Sequence, residues 1–324
     1  MFSEFVLTAI TDHPGLVQVL DAARVDRIGL DIERIGKSAR QGHVEGARIS
    51  EHRLEDLATV AANVRNADVF IRVNPIHAGS RFEIDRAIEL GAAVVMLPYF
   101  TEARAVAQFV DLIGGRARPV LLLETAAAAA RVREIVEVPG VAEVMVGLND
   151  LHMSLGLVSP FEVVVSDLME TIARRVLDAG LRFGFGGLAR PDDSALPVPP
   201  DLVYPQYARL GATSAWLARS FFRSGNATSE VPAEVARLRE RLSSGRSSRP
   251  RPWIENEPSC TPSFAGWPRR KRGERPLFTP PDGLPDREGS PGSSAAREGV
   301  PPSVSRKASR GTPLAAASEY GLPG

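Results

Sequence analysis

Short runs of β-branched and aliphatic residues alternate along the chain with longer stretches whose apolar positions recur at 3.6-residue spacing, which is the pattern parallel βαβ units require. Eight runs predict strands: Phe5–Ile10, Arg27–Ile32, Val69–Asn74, Ala93–Pro98, Pro119–Leu123, Glu143–Leu148, Arg182–Gly186 and Thr213–Ala218. Between them, Ser80 with Glu83 predicts a capping box, and Ser159-Pro160 with Glu162 combines a cap, a first-turn proline and an acid. Gly91, Gly114-Gly115, Gly140, Gly180 and Gly211 each fall just past a helical pattern, where a left-handed residue ends a helix. A helix over 50–65 is expected to bury Leu54, Leu57, Ala58, Ala61 and Val64, with Glu51, Glu55 and Arg65 turned away. A last helix is predicted over 232–242. Eight such units predict a (β/α)8 TIM barrel ahead of an open doubly wound sheet.

Beyond Ser243 the periodicity ends. Of the chain's 26 prolines, 14 lie between Pro250 and Pro323 among Arg, Ser and Gly, so this stretch has too little apolar surface to offset its ordering entropy. The expected organisation is a barrel over 1–244 and a disordered tail over 245–324. The bias of the tail is also what a GC-rich coding sequence gives when read out of frame; an uninterrupted frame in several close strains would overturn that idea. Its basic run, Arg269-Arg270-Lys271-Arg272, reads as a solvated charge run, ahead of binding to an anionic surface.

The formal net charge is zero over 324 residues, but the part before Gly245 carries 26 Lys/Arg against 31 Asp/Glu. A mildly acidic barrel gives no footprint for nucleic acid. One cysteine, Cys260, excludes a disulfide framework and a Cys-based metal cluster, and suits a reducing cytoplasm. The N-terminus lacks a basic n-region, and no run of 18 apolar residues occurs, so neither export nor membrane insertion is expected.

In a TIM barrel the chemistry belongs to the carboxyl ends of the strands. Strand 2 ends in Asp31-Ile32-Glu33, strand 3 in Arg72-Val73-Asn74, strand 5 in Glu124, strand 6 in Asn149-Asp150, strand 7 in Gly186-Gly187 and strand 8 in Arg219-Ser220. Strands 5 and 6 are neighbours, so Glu124 and Asp150 are candidate ligands of one Mg2+ or Mn2+. Either acid alone reads equally well as a helix-terminal residue. Arg72 is the candidate clamp for a substrate carboxylate, with a barrel-mouth ion pair to Asp31 or Glu33 as the competing reading. Backbone amides at Gly147, Asn149, Gly186 and Gly187, with Asn74, are candidate substrate contacts. His43 and His152 are candidate bases among five scattered histidines.

The stretches LDIERIGKSAR, IRVNP, AVVMLP, LLLET and VGLNDLHMSLG, in that order, resemble the HpcH/HpaI aldolase and citrate lyase β-subunit family, over roughly residues 5–225. The resemblance implies a pyruvate-binding barrel with Glu124 and Asp150 as metal ligands and Arg72 as the substrate-carboxylate arginine. It also implies assembly into homo-oligomers. In the aldolase branch the strand-2 motif carries a histidine as acid–base where Arg34 stands here; Lys37 with Ala39-Arg40 leans towards the citrate lyase branch. The expected activity is therefore carbon–carbon bond cleavage or formation beside a 2-oxo acid, with Asp31, Glu33 and His43 as further catalytic candidates. The alternatives are an acyl-CoA lyase of the citrate or malyl type, and a barrel that binds a small acid or a partner without catalysis.

Overall fold

The structure, a computed structural model, describes residues 4–37, 40, 50–193, 196–222 and 228–247. Within them eight parallel strands close into a barrel in sequence order: β1 Val6–Ile10, β2 Arg27–Asp31, β3 Asp68–Arg72, β4 Val94–Leu97, β5 Arg118–Leu123, β6 Glu143–Val146, β7 Arg182–Leu188 and β8 Ser214–Leu217. Closure is direct, since Val6 and Thr8 of β1 lie opposite Ser214 and Trp216 of β8. His43 and the tail beyond Ser247 lie outside the described residues. Among the described residues no helix is long and apolar enough to cross a membrane.

The period-2 alternation of each strand divides its side chains between two cores. One face packs against the surrounding helices and forms the main core, which includes Leu7, Leu30, Ile71, Leu121, Val144 and Phe185. The other fills the barrel with Phe70, Val94, Met96, Val120, Leu122 and Met145, against which Ile10 and Trp216 pack. The same alternation brings Arg27, Asp31, Arg72, Glu124 and Glu143 to the inner face. Arg27 and Glu143 meet across the barrel at 2.7 Å and are almost completely buried.

Several helix boundaries follow local chemistry. Gly91, Gly114, Gly115, Gly140, Gly180 and Gly211 all have positive φ, as the stop signals require. Ser159 and Glu162 form the predicted capping box. Ser80 does not act as a cap: Gly79 holds that position, and the Ser80 hydroxyl accepts from the His77 N–H. Its expected partner Glu83 instead accepts from the backbone N–H and side-chain amide of Asn74, at 2.8 and 2.7 Å. The helix expected over 50–65 is shorter, a 3-10 turn Leu54–Asp56 followed by Leu57–Asn63. Arg34 holds the carbonyls of Glu51 and His52, keeping the first residues out of the helix. The expected face holds for Leu57, which is buried, and for Leu54, Ala61 and Val64, which pack against the core, whereas Ala58 is exposed and Val60 is buried in its stead. The run 143–148 also ends earlier as a strand, because Gly147 caps a helix Leu148–Ser154. The final helix runs Val231–Ser247.

Candidate functional site

β2, β3, β5 and β6 end on one side of the barrel, and their last inward residues converge there. Asp31 closes β2 opposite Arg72, which closes β3. The Arg72 guanidinium donates to both Asp31 oxygens, Nε to Oδ1 at 2.8 Å and Nη2 to Oδ2 at 2.6 Å. Beneath it lies the Trp216 ring, 4.9 Å from the guanidinium carbon. That platform supports the cation without competing for its hydrogen bonds. The Asp31 carboxylate also receives Lys37 Nζ at 3.0 Å. Burial pushes the Asp31 carboxyl up, but Arg72 and Lys37 overcome it and hold the group well below the ordinary range.

Glu33, fully buried, stands above this layer. Its Oε2 lies 3.1 Å from Lys37 Nζ and 3.6 Å from Arg72 Nη1, and its Oε1 accepts from Arg40. Arg40 also approaches Asp150, Nε to Oδ1 at 3.4 Å, and its guanidinium lies 3.6 Å over the Tyr99 ring. Tyr99 has a positive φ of 47°, uncommon for a side chain of its size, and its N–H donates to Glu124 Oε1 at 3.0 Å.

Glu124 is 2% exposed. Burial pushes its carboxyl well above the ordinary range, and the negative charges of Glu33 and Asp150 push the same way against the pull of Arg72. Room for this side chain comes from Gly147. A Cβ there would stand 2.5 Å from Glu124 Oε2 and 2.8 Å from Glu124 Cβ. In total Asp31, Glu33, Glu124 and Asp150 share the mouth with Lys37, Arg40 and Arg72, one negative charge in excess within a largely buried site.

Such a cluster is poor value for stability, because desolvating charges offsets most of their attraction. Its chemistry suits a hard cation. Glu124 and Asp150 offer oxygen donors, the first of them buried where its own charge is opposed. Among the described residues no group of three or more His, Cys, Asp and Glu side chains is arranged to hold a metal, so the other positions would fall to water or substrate oxygens.

The remaining candidates divide. Asn74 lies beside the site with its polar atoms engaged: Oδ1 accepts from the Arg34 and Ile35 N–H groups, and Nδ2 donates to Glu83. The Gly147 N–H donates to Leu123 O at 3.0 Å. Asn149 is exposed in the first turn of Leu148–Ser154. Gly186 and Gly187 lie just before the end of β7, where an added Cβ would meet open space, Gly187 with φ +101°. His152 engages the carbonyl of Leu148, one helical turn back, at 3.1 Å. Arg34, at the place of the aldolase-branch histidine, points to Glu51 and His52.

Five neighbours were not singled out as site residues from sequence: Lys37 and Arg40, noted only as leaning towards the citrate lyase branch, and Tyr99, Trp216 and His52. Tyr99 and Trp216 carry no local polar signal, since one follows an ordinary strand end and the other sits mid-strand. His52, whose Nδ1 lies 3.3 Å from the Asp31 backbone N and 2.7 Å from Ser50 Oγ, was concealed within an expected helix.

A closed parallel barrel whose carboxyl-end mouth gathers four buried carboxylates around an arginine clamp defines a TIM-barrel protein with an acid-rich site. The pattern of the HpcH/HpaI aldolase/citrate lyase family matches residues 11–190, and the chain belongs to that family. A citrate lyase subunit beta-like protein of Deinococcus radiodurans is 31% identical over 158 residues, 47% of this chain and 53% of that protein. The chain thus spans about half the length of the curated relative it matches. Among solved structures, an HpcH/HpaI aldolase/citrate lyase family protein from Burkholderia cenocepacia has TM-score 0.54 at 18% identity, covering 72% of this chain and 95% of that one. A citrate lyase from Burkholderia xenovorans has TM-score 0.51 at 17% identity, with coverage of 77% and 79%. These likenesses establish the shared fold.

Proposed function

We propose that the protein is a metal-dependent carbon–carbon lyase of the aldolase type, cleaving or forming a bond next to the carbonyl of a 2-oxo acid such as pyruvate. The observation that carries this reading is the burial of Glu124 against Glu33 and Asp150, two strands away from Arg72 of β3. The names of its relatives, aldolase and citrate lyase, support the general kind of reaction.

Glu124 and Asp150 would hold Mg2+ or Mn2+. When bound, the cation supplies electrophilic stabilisation of the negative charge that develops on the 2-oxo oxygen. Arg72 holds the substrate carboxylate, kept in orientation by Asp31 below and Trp216 beneath. Held ionised by Arg72 and Lys37, Asp31 is too weak a base for proton abstraction and serves to aim the arginine. In the cleavage direction a base takes the proton of the 4-hydroxyl, the C3–C4 pair becomes the enolate of pyruvate, and an aldehyde departs. C3 then regains a proton. The proton carrier falls to Glu33, whose Oε2 stands 3.1 Å from Lys37 Nζ, or to His43. Asn149 and the open backbone at Gly186 and Gly187 border the space for the second reactant, with Asn74 and Gly147 shaping its walls.

A specific observation favours one alternative, an acyl-CoA lyase of the citrate or malyl type: Lys37 and Arg40 enter the mouth, whereas Arg34 turns away from it. CoA-dependent turnover separates the two readings. Assembly into a homo-oligomer, expected from the resemblance, is checked by light scattering.

The test is calorimetric titration of the full chain, stripped of metal, with Mn2+ and then with pyruvate or oxalate, beside Glu124→Gln and Asp150→Asn. Metal binding that both variants lose, and acid binding that requires metal, support the proposal. A wild-type chain that binds neither overturns it in favour of a barrel without this catalytic function.

A further inference from the structure

We propose that Arg40 is a tethered counter-ion that competes with the divalent cation for the Asp150 carboxylate and so sets how tightly the site holds metal. The inference rests on the metal reading above.

Arg72 and Lys37 are committed to Asp31 and Glu33. Arg40 differs in spanning both layers, bonded to Glu33 and reaching Asp150. Its two carboxylate contacts are unequal. The approach to Asp150 is 3.4 Å, beyond the roughly 2.7–2.9 Å of a strong charge-assisted hydrogen bond. Its other attachments hold it in place independently of Asp150: Glu33, the Ile35 carbonyl at 3.3 Å, and the face of Tyr99 at 3.6 Å.

The weaker of the two carboxylate contacts of Arg40 is therefore the one made to a proposed metal ligand. A cation on Asp150 displaces that contact while Arg40 keeps the rest, and the guanidinium remains as a positive charge beside the metal. Both effects oppose binding, and linkage makes the coupling reciprocal. Tyr99 joins the two halves, because its ring carries Arg40 and its N–H holds Glu124. Arg40 is thus a positioning residue whose charge tunes the affinity of its neighbours.

Mn2+ titration of the full chain, read by calorimetry and by the spin-resonance signal of free Mn2+, tests this without reference to turnover. Arg40→Gln and Arg40→Ala should each bind Mn2+ about tenfold more tightly than wild type, within the 5- to 150-fold range of ordinary coupling. Arg40→Lys, which keeps the charge, should stay near wild type. Mere structural damage would weaken binding instead. Circular dichroism identifies the variants that fold, and either neutral substitution suffices. Equal or weaker binding by a folded neutral variant, with wild type binding Mn2+ and Glu124→Gln not, overturns the Arg40 proposal alone. If wild type and variants all fail to bind Mn2+, the metal reading falls and takes this one with it.

Discussion

Replacing Glu124 by glutamine should make the metal-free protein more stable while removing its affinity for metal. Glutamine keeps nearly the same shape and can still accept the Tyr99 N–H, so the hydrogen bond and packing survive. What disappears is a buried negative charge facing Glu33 and Asp150. The lost attraction to Arg72 cancels part of the gain, leaving a net of about 1 kcal/mol, ordinary for a single substitution. For a domain of this size that raises the midpoint of thermal unfolding by about 2–4 °C.

The sign of the pH dependence follows from the raised carboxyl. Below the unfolded-state value, about 4.3, Glu124 is protonated in both states and carries no penalty. As pH rises from there the unfolded chain ionises first, and the folded protein loses stability until Glu124 ionises in it too. The variant's advantage should therefore be absent near pH 4 and largest above the raised folded value. Scanning calorimetry in EDTA across pH 4–8 measures it. A variant less stable than wild type at pH 8, or a difference independent of pH, would refute the reasoning. Adding Mn2+ should then raise only the wild-type midpoint, by mass action worth about 2.7 kcal/mol at a hundredfold excess over Kd.

Three further outcomes are expected. Gly147→Ala places a Cβ 2.5 Å from Glu124 Oε2, so it should weaken Mn2+ binding at least about tenfold and cost about 1–3 kcal/mol of stability by urea unfolding. Arg72→Lys loses the two-point hold on Asp31; oxalate affinity in the presence of Mn2+ should fall about tenfold or more, and unchanged affinity would remove Arg72 from the carboxylate site. At the opposite end of the barrel, Arg27→Met removes the 2.7 Å partner of the buried Glu143, leaving Arg182 at 3.9 Å, and should cost about 3 kcal/mol in urea unfolding while leaving Mn2+ affinity intact; a loss of metal binding in the folded variant would show that the two ends are coupled.

The sequence by itself determined the eight strands and the helices between them, while closure into a barrel was decided by the pairing of β1 with β8. All eight strands stand within two residues of their expected ends, because strand alternation, helical period and glycine stops are local signals that agree with one another. The same locality exposed Glu124, Asp150, Asp31, Glu33 and Arg72, since residues at strand ends must face the mouth. Tertiary structure decided what those groups do to one another. Only the closed sheet lays Trp216 of β8 under Arg72 of β3 and brings Tyr99 between Arg40 and Glu124. It also redirected local signals, as when Arg34 kept residues 51 and 52 out of a helix and Glu83 left its cap to hold Asn74. The physical reason is range: backbone preference is settled within a few residues, whereas burial and the balance of charge depend on partners as far apart as Arg40 and Asp150, which sequence places 110 positions from each other.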